Sequence, residues 1–492
     1  MEVIKSDSLC KKLNMQDAVT TRIITKLEEI EEIYYIGAEA SSVSAEFSEG
    51  AAMVSGKLNF KLLVKDKTEG VVSLNYNADF SEKMESEVFS PDSVVCTEVT
   101  VTEATGEIMS GNEIEVTAEI DIVFTVKCVT ETETSSLPEG VTVKSKKIRI
   151  VQIDCCREEN FAVTHEMTMP AGAVKVLQAE SCAYLERIES GESIRLEGRV
   201  QLTIVYLNSE NLPATLLVPV NFEQETDAGN VAPEDKICGC VKCVGTKVHL
   251  DMDESEALNL TADINLKAIL NIFRETEKNV IEDAYSVTHD IETKTGEISS
   301  TFFRGMQTVK VGFKGEAACT NSVSRTLGIA GAKCVIVGSK GGEGNVRADV
   351  AVKGRILYLN GDDMLDSAPF EIPVSALCAL PFAGKDGETD CSACVTDIAV
   401  RRSGGSADIT GSIAVSICMT ERETVKFLSE IIQGEAKGIS ECAIEAVLAE
   451  PGDTLWNIGK TLGMTVEELL ALNPELSEPI TKPERIVIYR QL

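Results

Sequence analysis

The sequence is poor in the groups on which most enzyme chemistry rests. It holds three histidines, His165, His249 and His289, and no two of them stand at metal-ligand spacing. A histidine metal centre or general-base catalysis is therefore not expected. Aromatic residues make up 5% of the chain and tryptophan occurs once. No stretch approaches the roughly eighteen apolar residues that span a bilayer. The segment from Met1 to Asn14 is polar and lacks the apolar core of a signal peptide, so the expected location is cytoplasmic. Positive charge is also scarce: 46 basic residues stand against 79 acidic ones, a formal charge of −33. Such a field repels phosphate backbones and anionic lipid, which argues against nucleic acid as a partner and against electrostatic membrane binding. The glycine-rich stretch Gly338 to Gly344 lacks the lysine–serine or lysine–threonine pair of a phosphate loop, and a strand follows it, so a hairpin turn is expected. No nucleophile elbow occurs. The expectation is a chain without catalytic residues, cofactor or metal.

What the chain does contain is repetition. Its 492 residues suggest three or four domains at about 150 residues each. The stretch Val54 to Val64 can be laid over Leu196 to Tyr206 and over Ala348 to Tyr358, with apolar or small residues at alternate positions in all three. That alternation is the mark of a half-buried strand. A second anchor follows in each copy, at Val116 to Ile120, Leu260 to Ile264 and Ile409 to Ile413. From Gly56 to Thr117 is 61 residues, from Gly198 to Thr261 is 63, and from Val350 to Thr410 is 60. So constant an interval implies three homologous β-rich, sandwich-like domains, placed at 1–150, 151–292 and 293–428. Pro219 and Pro373 occupy matching strands and cannot donate to a ladder, so those strands are expected at sheet edges. Gly384 to Asp390 reads as a loop, and Leu27, Ile30 and Ile33 have a spacing that admits a short helix.

Cysteine is abundant, at sixteen residues. Cys238, Cys240 and Cys243 form one group, Cys391 and Cys394 a C-x-x-C, and Cys155–Cys156 a vicinal pair. No pair-plus-pair spacing for zinc lies within one copy, and a reducing compartment disfavours disulfides, so packing is the expected role.

After a linker at 429–442, residues 443–490 have the pattern of a β-α-α-β module. Leu455, Ile458, Gly459 and Leu462 lie on one helical face, with Asp453 as the expected N-cap and Gly463 as the stop. Thr465 and Glu468 form a capping box for a second helix, which Asn473–Pro474 ends. Strands at 443–449 and 485–489 flank the helices.

The run Glu450-Pro451-Gly452-Asp453-Thr454-Leu455-Trp456-Asn457-Ile458, with Gly463-Met464-Thr465-Val466-Glu467-Glu468-Leu469 and Leu472-Asn473-Pro474, resembles the LysM domain. The resemblance implies a shallow groove for N-acetylglucosamine-containing glycans, formed here by Gly452, Asp453, Thr454, Leu455, Asn473, Pro474 and Ile480. Asp453 as a cap and Trp456 as a packing residue are the expected roles of those two side chains. Lys482-Pro483-Glu484 replaces the family's glycine turn before the last strand.

The repeated unit, with Tyr206-Leu207-Asn208 and Tyr358-Leu359-Asn360 after its signature strand, resembles the SPOCS domain of endospore-forming bacteria. SPOCS repeats ahead of one LysM module are similar to spore-coat morphogenetic proteins of the SipL and stage VI sporulation protein D type. That resemblance implies a scaffold in the mother-cell cytoplasm at the forespore surface, whose partner is the coat-basement ATPase of the stage IV sporulation protein A type. The alternative is a protein that binds peptidoglycan or a cell-wall precursor. The lack of a signal-peptide core and the altered Lys482-Pro483-Glu484 turn favour the scaffold.

Overall fold

A computed structural model describes residues 2–252, 258–342, 344–380, 387–438 and 444–489. Among these the chain is almost entirely β, as expected, with two short helices near its end.

Six strands recur three times in the same order. The first unit comprises β1 (Glu2–Ile24), β2 (Ile30–Ser48), β3 (Ala51–Asp66), β4 (Gly70–Glu85), β5 (Val94–Ser110) and β6 (Glu113–Thr134). The second comprises β7 (Val141–Thr168), β8 (Lys175–Ser190), β9 (Ser193–Leu207), β10 (Pro213–Asp227), β11 (Lys236–Met252) and β12 (Leu258–Ser286). The third comprises β13 (His289–Glu316), β14 (Val323–Gly342), β15 (Asn345–Asn360), β16 (Leu365–Cys378), β17 (Gly387–Ser403) and β18 (Ser406–Ala436). In each unit the second, third and fourth strands form an antiparallel meander, and the last strand lies between the first and the fifth.

The two repeated signatures are the middle strands of these two sheets. Val54–Val64, Leu196–Tyr206 and Ala348–Tyr358 lie in β3, β9 and β15; the second anchors lie in β6, β12 and β18. Their alternate apolar residues face each other. In the first unit Leu58, Phe60 and Leu62 pack against Ile114, Val116, Ile120 and Phe124, all buried, and the second and third units repeat this arrangement. A middle strand has both edges paired and one face in the core, so its alternation is the most strictly constrained in the sandwich. Pro219 and Pro373 fall on β10 and β16, the outer strands of their meanders.

Several expectations need correction. The unit breaks fall at 135–140 and 287–288, rather than at 150 and 292, because the first strand of each later unit begins well before its apolar pattern. Ser429 to Ala436 is not linker but the end of β18, paired with the start of β13; residues 439–442 lie outside the described ones. The Leu27–Ile33 stretch is a bend leading into β2, not a helix. Gly338–Gly344 is a β14–β15 hairpin with Gly344 at φ 76°, although Glu343 is outside the described residues. Of Gly384–Asp390, the part from Gly387 opens β17 and 384–386 are not described.

The units are joined around a common centre. Leu63, Val205 and Leu357 occupy equivalent positions in β3, β9 and β15 and meet in one buried cluster with Tyr34, Tyr35, Leu177 and Ala330. Farther along, β1, β7 and β13 approach one another. The buried Ser6 hydroxyl accepts from Val151 N–H at 3.0 Å and lies 2.6 Å from the Ser300 hydroxyl. Asp7 pairs with Lys127 at 2.8 Å and accepts from Ile153 N–H at 2.8 Å.

The C-terminal module is β19 (Ile444–Ala449), α1 (Leu455–Leu462), α2 (Val466–Leu472) and β20 (Glu484–Tyr489), with β19 and β20 antiparallel; residues 443 and 490 lie outside the described ones. Its core joins Leu455, Ile458, Leu462 and Leu469 to Ile486 and Ile488.

Candidate functional site

The module's two loops are set by local chemistry. Thr454, not Asp453, is the N-cap of α1, accepting from Asn457 N–H. Asp453 acts one residue earlier, its carboxylate accepting from Glu450 N–H at 2.8 Å and closing the turn that holds Gly452 at φ 102°. Asp453, the cap expected from the sequence, is one residue early, because aspartate and threonine can both cap. Gly463 ends α1 in the left-handed conformation, and Thr465 with Glu468 completes the capping box of α2.

Of the seven residues named from the sequence, Gly452 and Leu455 are tied to the segment that ends in Ile480, whereas Asn473 bonds the last strand. Gly452 N–H donates to Ile480 O at 3.1 Å, tying the first loop to the second. Glu478 accepts from Leu455 N–H at 2.8 Å across the same junction. Asn473 fixes the far side, donating to Val487 O and accepting from Val487 N–H, each at 3.3 Å. Leu455 and Ile480 are buried beneath the junction, whereas Gly452, Pro474, Glu475, Ser477 and Glu478 face solvent. The outcome is an exposed junction of main-chain groups and carboxylates over buried Leu455 and Ile480. Glu478 was missed in the sequence; its signal was the Glu-Pro pair before the predicted Ile480.

Trp456 contacts the second unit. Its indole N–H donates to Asp283 Oδ2 at 2.8 Å, and its ring meets Tyr285 edge-on at a centroid distance of 4.8 Å. Lys460 Nζ lies 2.7 Å from Asp283 Oδ1, and Tyr285 OH donates to Met464 O at 2.9 Å. The module is thereby docked on the end of β12 through α1 and the turn after it. Burial opposes the charge on Asp283, but hydrogen bonds from Lys460 and Trp456 outweigh it and hold the carboxyl below the ordinary range.

The other candidates separate. His165 lies on β7, half-buried beside β12; His249 is 3.6 Å from Asp263 on the surface; His289 contacts Thr288. Among the described residues no three histidine, cysteine or carboxylate groups are placed to hold a metal ion. The cysteines converge instead on a cavity of about 1530 Å³ lined by all three units, where Cys96, Cys156, Cys182, Cys240, Cys334 and Cys391 reach the wall. One pair corrects the packing expectation: Cys182 of β8 and Cys394 of β17 form a disulfide between the second and third units, with Cα atoms 5.9 Å apart. Cys391 is not the partner of Cys394, despite the C-x-x-C spacing.

A LysM domain model matches residues 450–480, the stretch that carries both helices and the loops before and after them. No curated protein and no solved structure matched the chain. No helix among the described residues is long and apolar enough to cross a membrane.

Proposed function

We propose that the chain is a non-catalytic glycan-binding protein, in which the LysM cleft takes an N-acetylglucosamine-containing glycan such as peptidoglycan and the three β units form its platform. The observation that carries this reading is the 450–480 match, together with a docking contact that uses Trp456, Lys460 and Met464 and leaves Gly452, Pro474, Ser477 and Glu478 open to solvent. An acetamido sugar offers a carbonyl, an N–H and hydroxyls, which suit a cleft of main-chain groups and carboxylates over buried Leu455 and Ile480. The ligand stretch is expected to be uncharged, because a chain of net charge −33 repels anionic polymers.

Titration of the full chain with N-acetylglucosamine oligomers, alongside co-sedimentation with purified peptidoglycan, tests this. Saturable binding with little salt dependence is expected, lost in Ser477→Trp, which fills the cleft from an exposed position. No saturable binding to either ligand sinks the proposal.

A second reading draws support from the SPOCS-like strand, which is the middle strand of each meander and is followed by Tyr-Leu-Asn in the second and third units, with Val64-Lys65-Asp66 in that place in the first. In it the chain is a cytoplasmic spore-coat scaffold, and cleft and units bind the coat-basement ATPase. Capture of that purified ATPase by the full chain, undiminished by Ser477→Trp and unaccompanied by glycan binding, would favour it.

A further inference from the structure

Five basic side chains reach the wall of the central cavity. Three are matched by carboxylates: Lys61 by Glu39 at 3.3 Å, Lys242 by Glu98 at 3.0 Å and Lys353 by Glu371 at 3.3 Å. Lys333 and Arg355 are not. Lys333 Nζ donates to the Val101 main-chain carbonyl at 3.2 Å, across the seam to the first unit. Arg355 donates through Nη2 and Nε to the Ser367 hydroxyl, at 2.9 and 3.3 Å. Among the described residues, no carboxylate lies within ion-pair distance of either cation. Both are partly buried, and burial opposes the charge of each.

The nearby acids are engaged elsewhere. Glu180 accepts from Tyr35 OH at 3.0 Å, and Asp366 accepts from Tyr358 OH at 3.0 Å and from Asn321 Nδ2 at 2.8 Å. Their charges are felt by Lys333 and Arg355 only at longer range. Acidic residues number 79 against 46 basic ones, so carboxylates are not scarce in this chain. Two cations left without one in a partly buried wall carry a desolvation cost that an anion would offset.

The fold sets the two cations side by side. Lys353, Arg355 and Leu357 alternate along one face of β15, and Lys333 is the partner of Lys353 across the β14–β15 ladder. Arg355 is thus a diagonal neighbour of Lys333, next to the apolar cluster that holds Leu357.

We propose that the cavity binds a small organic anion, a carboxylate or phosphate on an apolar body, with Lys333 and Arg355 as its cationic donors. The Lys333 ammonium has three donors and spends one on Val101, and Arg355 Nη1 makes no hydrogen bond. A guanidinium and an ammonium on one face suit an oxyanion that accepts from both. Ile36, Val101, Met306 and Phe370 on the same wall offer apolar contact for the remainder of the ligand. A volume of about 1530 Å³ accommodates a molecule far larger than a bare ion. Such binding is independent of the glycan-binding reading.

The test is a fluorescence titration of the full chain with anilinonaphthalene sulfonate, an oxyanion on apolar rings. Saturable binding of one dye per chain is expected, displaced by octanoate or octyl phosphate but not by octanol, the same chain without charge. Whether octanoate or octyl phosphate competes better distinguishes carboxylate from phosphate. Replacing both cations, Lys333→Met with Arg355→Met, should weaken dye binding about tenfold or more. The melting temperature should hold or rise, since no carboxylate loses a partner. Ser477→Trp, in the LysM module, should leave dye binding unchanged. Absence of saturable binding, equal displacement by octanol, undiminished affinity in the double variant or loss of binding in Ser477→Trp overturns the proposal. The wild-type competition decides even if the double variant fails to fold.

Discussion

Asp283 is the residue on which the pose of the LysM module turns. It receives Trp456 and Lys460 at once, and Trp456 is the only tryptophan of the chain, so indole emission reports the contact directly. Asp283→Ala removes the charge-assisted hydrogen bonds from Trp456 and Lys460 at a partly exposed site, a loss of about 1–2 kcal/mol of docking energy. A red shift of the emission is expected, and an unmoved spectrum would show that docking does not depend on Asp283. The pH dependence follows from the lowered carboxyl. A group whose folded pKa is depressed contributes stability above its unfolded value, about 3.9 for aspartate, and loses it as pH falls through the folded one. Emission should therefore hold steady from neutral pH down to about pH 5 and move only in stronger acid.

Within single elements, close approach of strands sets the tolerance to change. Gly56, Gly198 and Gly354 each lie on a middle strand opposite a phenylalanine, Phe80, Phe222 and Phe370, whose ring covers the missing side chain. In the third unit this glycine is Gly354, while Val350 holds the place aligned with Gly198, so the same device sits on a different rung. A methyl group at Gly198 would run into the Tyr184 carbonyl and the Phe222 ring. Gly198→Ala is expected to cost about 1–3 kcal/mol in denaturant melts, whereas Gly338→Ala, with open space around it, should be nearly neutral. In α2, Thr465→Ala removes one arm of the capping box and should lower the module's stability by about 1 kcal/mol.

At the scale of the whole molecule, three sandwiches are held by a small set of cross-unit contacts. The Cys182–Cys394 disulfide joins residues 212 apart in sequence. In the chain-entropy view, a loop of that length corresponds to about 5 kcal/mol of stabilisation. Reduction, or Cys394→Ser, should lower the melting temperature by several degrees, and equal melts with and without reductant would contradict that. Lys127 and Asp7, a largely buried ion pair within the first unit, both bond the main chain of Ile153 in the second and so seal another seam. Lys127→Ala leaves the carboxylate unpaired and is expected to cost about 3 kcal/mol.

Much of this architecture was legible in residue order. Alternation in Val54–Val64 and its two counterparts marked the middle strands, because burial on one face of a paired strand forces a period of two. The spacing of Leu455, Ile458, Gly459 and Leu462, with Gly463 and the Thr465–Glu468 pair, marked both helices, because caps and helical faces are local in sequence. The edge position of β10 and β16 followed from one proline each. Tertiary structure alone decided the rest. Cys394 met Cys182 rather than its near neighbour Cys391, because a disulfide needs matching Cα positions and not short spacing. Trp456 found Asp283 and Tyr285 on another unit, and β18 continued through the expected linker because the far end of β13 was there to pair with it. Local periodicity and caps thus specified strands and helices, while the groove residues were only what the LysM resemblance implied. Which units touch, and through which side chains, depended on contacts between residues hundreds of positions apart, and no local pattern encodes those.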